Sequence, residues 1–76
     1  MQVDILTPDA TLFSGEAKVV TLPGVNGSFQ IMNMHAPMIS ALSTGKVIVD
    51  NGAEKLEFTV KGGIIEVLNN KIVILA

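Results

Sequence analysis

Apolar and polar residues alternate along most of this chain, and glycine, proline and asparagine interrupt the alternation at short intervals. Side chains of a strand point alternately to opposite faces, so such segments read as half-buried strands. Val3 and Ile5 face one way and Gln2, Asp4 and Leu6 the other, before Thr7-Pro8-Asp9 turns the chain. Thr11 to Phe13 predicts a short strand ending at Ser14-Gly15, and Ala17 to Leu22 a β-branched strand that Pro23-Gly24 stops. From Gly24 to Leu42 two apolar segments are punctuated separately. Gly24 and the Asn26-Gly27 pair permit positive φ at the start, and Pro37 keeps Ala36 out of the helical region. This stretch holds the single histidine and most of the methionines.

After Ser43-Thr44-Gly45, Val47 and Val49 oppose Lys46, Ile48 and Asp50, and Asn51-Gly52 predicts a tight primed hairpin turn. The returning strand, Lys55 to Val60, points Leu56, Phe58 and Val60 inward and Lys55, Glu57 and Thr59 outward. Gly62-Gly63 breaks it, and Ile64 to Leu68 with Lys71 to Leu75 form a last hairpin across Asn69-Asn70. No segment keeps helical spacing for three turns. About nine short strands at this spacing predict an all-β sandwich or small barrel. Ile64-Ile65 and Ile72 to Leu75 are apolar on both faces, which predicts central strands covered on both sides and favours two packed sheets.

A length of 76 residues allows one domain, residues 1–76, with a small core. The absence of cysteine removes disulfides and thiolate metal sites and fits a cytosolic setting. Five lysines scattered singly, no arginine and a net charge of −2 exclude the clustered cations of a nucleic-acid binder, and three phenylalanines provide little base stacking. The first residues show neither a basic leader nor a long apolar core, and no apolar run approaches a membrane span, so no direct membrane insertion is expected.

Candidate chemistry is sparse. One histidine cannot build a histidine-rich metal site, and Asp4, Asp9, Glu16, Asp50, Glu54, Glu57 and Glu66 are dispersed, so no metal, cofactor or small-molecule substrate is expected. His35 has no nucleophile-elbow serine beside it. It reads as either a loop residue bonded to nearby backbone or a contact to a partner. Gly24 to Gly27 lacks the lysine and following helix of a phosphate cradle and reads as a turn. Asn26-Gly27-Ser28 matches a glycosylation sequon, which has no meaning without secretion. Met32, Met34 and Met38 read as core filler or as an adaptable contact surface. Met32-Asn33-Met34 resembles a biotinylation tripeptide, but Asn33 has no amine to acylate.

Six segments in order then carry a resemblance over nearly the whole chain: Val3-Asp-Ile-Leu-Thr-Pro, Leu12-Phe-Ser-Gly-Glu, Val20-Thr-Leu-Pro-Gly, His35-Ala-Pro-Met-Ile-Ser-Ala-Leu, Lys61-Gly-Gly-Ile-Ile-Glu-Val and Lys71-Ile-Val-Ile-Leu-Ala. The chain resembles the N-terminal β-sandwich domain of the epsilon subunit of the rotary F-type ATP synthase. The resemblance implies a small β-sandwich of two roughly five-stranded sheets, one strand more than the pattern counts. It implies a non-catalytic central-stalk subunit that joins the gamma subunit to the c ring, peripheral to the cytoplasmic face of the bacterial inner membrane through the complex.

Carried over by position, the resemblance implies a ring-facing loop of Asn26, Gly27 and Ser28 together with His35, and gamma contacts at Thr7 and Ser40. Asn33-Met34 stands where the family commonly has Pro-Gly, Gln30 where it has glycine, and Ser28 where many members carry an acid. These departures bear on loop shape and on charge attraction to the ring. The family usually continues into a C-terminal pair of inhibitory helices, so the expectation is support of coupling and assembly without inhibition or ATP sensing. The competing expectation is a stand-alone β-sandwich interaction module with an unrelated partner.

Overall fold

The computed structural model describes all residues, Met1–Ala76, and contains nine strands and no helix. In order they are β1 (Gln2–Leu6), β2 (Thr11–Glu16), β3 (Val19–Gly24), β4 (Gly27–Met32), β5 (Met38–Leu42), β6 (Gly45–Asp50), β7 (Lys55–Val60), β8 (Gly63–Leu68) and β9 (Lys71–Leu75). The pairing path β2-β1-β9-β8-β5 forms one layer of five, and β4-β3-β6-β7 the other layer of four. A single pair, Gly24 with Leu42, joins them at a corner between β3 and β5. All ladders are antiparallel except β1 with β9. The sandwich is the one the apolar pattern and the resemblance lead to, with nine strands as the pattern counts.

Alternation dictates what the two layers share. Val3 and Ile5 of β1, Val20 and Leu22 of β3, Val47 and Val49 of β6, Ile65 and Val67 of β8, and Ile72 and Ile74 of β9 are buried in one core of 15 residues with no buried polar side chain. The far ends of the pairing path meet across this core: Phe13 of β2 and Phe58 of β7 place their rings 5.6 Å apart and tilted by 53°. Tilted aromatic contact closes the side of the sandwich opposite the β3/β5 corner.

The structure departs from the expected boundaries where backbone chemistry permits it. β3 continues through Pro23-Gly24, which were expected to stop it. Gly24 and Gly27 flank a two-residue turn, Val25-Asn26, and therefore exchange hydrogen bonds, so the next pair, Pro23 with Ser28, needs no N–H from proline. β2 likewise runs on through Ser14-Gly15, where the missing side chain of Gly15 makes room for the Phe13 ring. Asn51-Gly52 does not make the tight primed turn expected of it. Asp50 pairs with Lys55, and Asn51 Oδ1 accepts from the Ala53 and Glu54 amides at 3.0 and 2.9 Å, stabilising a four-residue loop. The tight turn is Asn69-Asn70, with φ of 52° and 57°. Gly63, at φ 128°, admits no other residue, because an added Cβ would lie against the Leu75 carbonyl oxygen.

One expectation is corrected in a way that bears on function. β8 and β9 are central by pairing order, but they are covered on one face only. Ile64 and Leu75 point away from the core and are 48% and 53% exposed. Only two layers exist, so the outer face of a central strand has nothing from this chain to meet.

Candidate functional site

Two surfaces stand out. No three His, Cys, Asp or Glu side chains come together in a geometry that would hold a metal ion. His35 is exposed, and its Nδ1 lies 2.7 Å from the Ala36 carbonyl oxygen, so the ring bonds its own neighbour and no acid or hydroxyl. That is the backbone-bonded loop residue of the two sequence readings, and the exposed ring leaves a partner contact open as well.

The first surface runs along β4, an edge strand paired only with β3. Asn26, Gly27 and Ser28 lie at the turn that begins it, and His35 lies in the loop beyond its other end. They do not share one loop. They are set at opposite ends of one edge, separated by a strand that rises roughly 3.4 Å per residue. Ser28, Gln30 and Met32 are exposed between them, and Gln30 Nε2 donates to Thr21 Oγ1 at 3.2 Å. The edge carries no charged residue from Val25 to Met34.

The loop at the His35 end is tied down on both sides. The Met1 ammonium donates to Ala17 O at 3.0 Å and to Asn33 Oδ1 at 2.8 Å, and it pairs with Glu16 at 3.2 Å. Asn70 Oδ1 accepts from the Met34 amide at 2.8 Å. Met34 has φ of 63°, so a residue with a Cβ keeps a glycine-type backbone here.

The second surface is the outer face of the five-stranded layer, and the registers order it in rows. Ala41, Ile64, Leu75 and Leu6 stand side by side across β5, β8, β9 and β1. The next row reads Ile39, Glu66, Val73, Asp4 and Ser14. The third begins at Leu68 and ends at Lys71, Gln2 and Glu16. The face is thus apolar at the β5/β8 side and polar at the β1/β2 side. Pro37, Met38, Ile39, Glu66, Val67 and Leu68 line a shallow depression on the apolar side.

On the polar side Asp4 accepts from Ser14 Oγ at 2.7 Å and from Gln2 Nε2 at 3.1 Å, with Lys71 Nζ at 3.7 Å. Its carboxyl is held below the ordinary value of 3.8, chiefly by the Ser14 hydrogen bond, then by Gln2, with Lys71 adding to both and partial burial opposing them.

Thr7 and Ser40 are not neighbours. Thr7 follows Leu6 at one end of the apolar row, where Thr7 Oγ1 and N both bond to Ala10 O. Ser40 sits on β5 at the other end, between the outward Ile39 and Ala41, and itself faces the inner side opposite Ile65. The apolar row therefore spans the distance between them. The sequence reading singled out neither Ile64 nor Leu75 as surface residues, although their positions opposite buried neighbours in a two-layer fold would have placed them outside.

A small all-β sandwich that offers one free uncharged edge and one outer face apolar on its β5/β8 side is by class a β-sandwich domain with two open surfaces. The chain belongs to the family described as ATP synthase, Delta/Epsilon chain, beta-sandwich domain, which matches residues 1–76. It is 43% identical over 75 residues to the ATP synthase epsilon chain of Chlorobium limicola, covering 97% of this chain and 85% of that one. It is 40% identical over 85 residues to the ATP synthase epsilon chain of Salinibacter ruber, covering all of this chain and 57% of that one. The chain thus spans little more than half the length of some relatives and most of others. Among solved structures the fold matches a chain in the Tetrahymena thermophila mitochondrial ATP synthase central stalk and c ring, with TM-score 0.83 and 20% identity over 97% of this chain and 60% of that one. It also matches a chain of the Euglena gracilis mitochondrial ATP synthase, with TM-score 0.90 and 17% identity over 97% and 48%. At those identities the likeness speaks for the fold.

Proposed function

We propose that this chain is the β-sandwich of a central-stalk subunit in a rotary F-type ATP synthase and that it performs no chemistry itself. It binds the gamma subunit through the outer face of the five-stranded layer and rests the β4 edge on the c ring, at the cytoplasmic face of the bacterial inner membrane. The observation that carries this reading is the row Ala41, Ile64, Leu75 and Leu6, which is apolar, runs from β5 across β8 and β9 to β1 and has no cover from this chain. A contiguous apolar face of this kind on a folded domain marks an interaction site. Of the two candidate gamma positions, Thr7 adjoins one end of that row, while Ser40 at the other end faces the inner side and would act on gamma only by placing its outward neighbours Ile39 and Ala41.

On the ring side Asn26, Gly27, Ser28 and His35 act together only if β4 lies lengthwise on the partner, since they occupy its two ends. A strand lying flat offers Ser28, Gln30 and Met32 between them. With no acid at Ser28, attraction to a cationic ring surface contributes little, and contact depends on fit. The two-layer core suits the task. Close-packed strands with ladder hydrogen bonds deform as one body, so torque is transmitted without a hinge.

The test is co-purification of the chain with gamma and with a gamma and c-ring complex. Binding to both supports the reading, and failure to bind gamma in a mixture of stalk subunits contradicts it. His35→Asp is expected to weaken ring docking while leaving the fold intact, because the ring of His35 is exposed.

A further inference from the structure

Met34 is 79% exposed, the highest among the exposed large apolar side chains, yet its backbone sits in the left-handed region at φ 63°. A residue with a Cβ holds that conformation at a cost, and an unsupported loop would relax out of it. The support comes from far along the chain. Asn70 Oδ1 accepts the Met34 N–H at 2.8 Å, across 36 residues of sequence. Asn70 can do this because it occupies the second position of the tight turn between β8 and β9, where Leu68 pairs with Lys71 and φ is 57°. Asparagine tolerates that backbone and keeps its side chain free to reach out. Asn69 has the same kind of backbone, φ 52°, and makes no bond to the loop.

We propose that Asn70 is a positioning residue for the docking tip. Its side-chain carbonyl holds Met34 left-handed and thereby presents Met34 and His35 in the shape that meets the partner. The proposal rests on the ring-facing reading of His35, while the anchor itself is open to test without any partner. A tip ordered before contact loses less freedom on binding, so the anchor contributes to affinity without touching the partner.

The full chain and its variants N70G, N69G, M34G and M34G/N70G are compared for amide exchange at Met34 and for binding to a purified gamma and c-ring complex lacking this chain. Glycine keeps either turn position in its left-handed conformation, so N70G removes the anchor and leaves the turn. In N70G the Met34 amide is expected to exchange faster and affinity to fall about three- to tenfold. N69G is expected to change neither. M34G and M34G/N70G both lose the Met34 side chain, so they are compared with each other: glycine holds positive φ unaided, removing Asn70 is expected to change affinity little in that background, and a loss as large as in the unaltered chain would overturn the proposal.

Unchanged binding by N70G with a released Met34 amide would overturn the proposal, and so would an equal loss in N69G, which would make the effect one of turn stability. If the unaltered chain fails to bind the complex, the stalk reading fails with it. The anchor is then decided by exchange alone: faster Met34 exchange in N70G but not N69G supports it, and no change in N70G overturns it.

Discussion

The two sides of the five-stranded layer's outer face belong to one sheet and are finished in opposite ways. Near β1 and β2, Asp4, Ser14, Gln2 and Lys71 bond to one another and satisfy their polar groups within the chain. Near β5 and β8, Ile39 is 71% exposed and Ile64, Leu68 and Leu75 are each about half exposed, around a Glu66 that has no ion pair. The first side is complete in water. The second is apolar surface that becomes favourable only when something covers it, at about 25 cal/mol per Å² removed from water.

Adjacent residues of β8 give the largest contrast. Ile65, fully buried, and Ile64, outward, are expected to separate stability from binding. Ile65→Ala is expected to cost about 2–5 kcal/mol in denaturant unfolding, as transfer and cavity terms add. Ile64→Ala is expected to cost under about 1 kcal/mol there and to weaken gamma binding instead. Equal stability losses would break the comparison, because Ile64 would then be part of the core.

Ile39→Lys sharpens it from the surface. A charge on the most exposed apolar side chain of that face is expected to reduce gamma affinity by about thirtyfold or more, with stability moving by only about 0.5 kcal/mol. The same assay on Ser14→Lys, on the polar side, is expected to show no comparable loss. Isothermal calorimetry against purified gamma distinguishes the two.

The smallest effect lies in acid. The folded Asp4 carboxyl titrates below 3.8, so its contribution is present above that pH and fades as pH falls through the lower folded value. Asp4→Asn is therefore expected to remove part of the acid dependence of stability below pH 3.8 and to leave gamma binding at neutral pH unchanged. A wild-type acid slope in the variant would mean that the Ser14 and Gln2 bonds do not hold the carboxylate in solution.

Much of this was legible in the letters, and the rest failed for physical reasons. Period-two alternation located β1, β6 and β7, and turn signals with β-branched or apolar content located the others. Strand ends at Pro23-Gly24 and Ser14-Gly15 were misread, since proline costs nothing where the ladder asks for no N–H and Gly15 serves the Phe13 ring. The Asn51-Gly52 turn opened because side-chain bonds from Asn51 reward a longer loop. For the candidate site, the resemblance supplied Asn26, Gly27, Ser28, His35, Thr7 and Ser40 one by one, but not their arrangement. That depends on which strands are neighbours, and β9 meets β1 in parallel from the far end of the chain. Asn70 was invisible as an anchor for the same reason.

The chain contains no cysteine, so single thiols report on single places. The most direct measurement is the labelling rate of Ile64→Cys and Ser14→Cys with and without bound gamma. The account predicts that gamma shields the thiol at position 64 while the thiol at position 14 reacts as before. Shielding at 14 with free reaction at 64, or no shielding at either in a complex that does form, would contradict it.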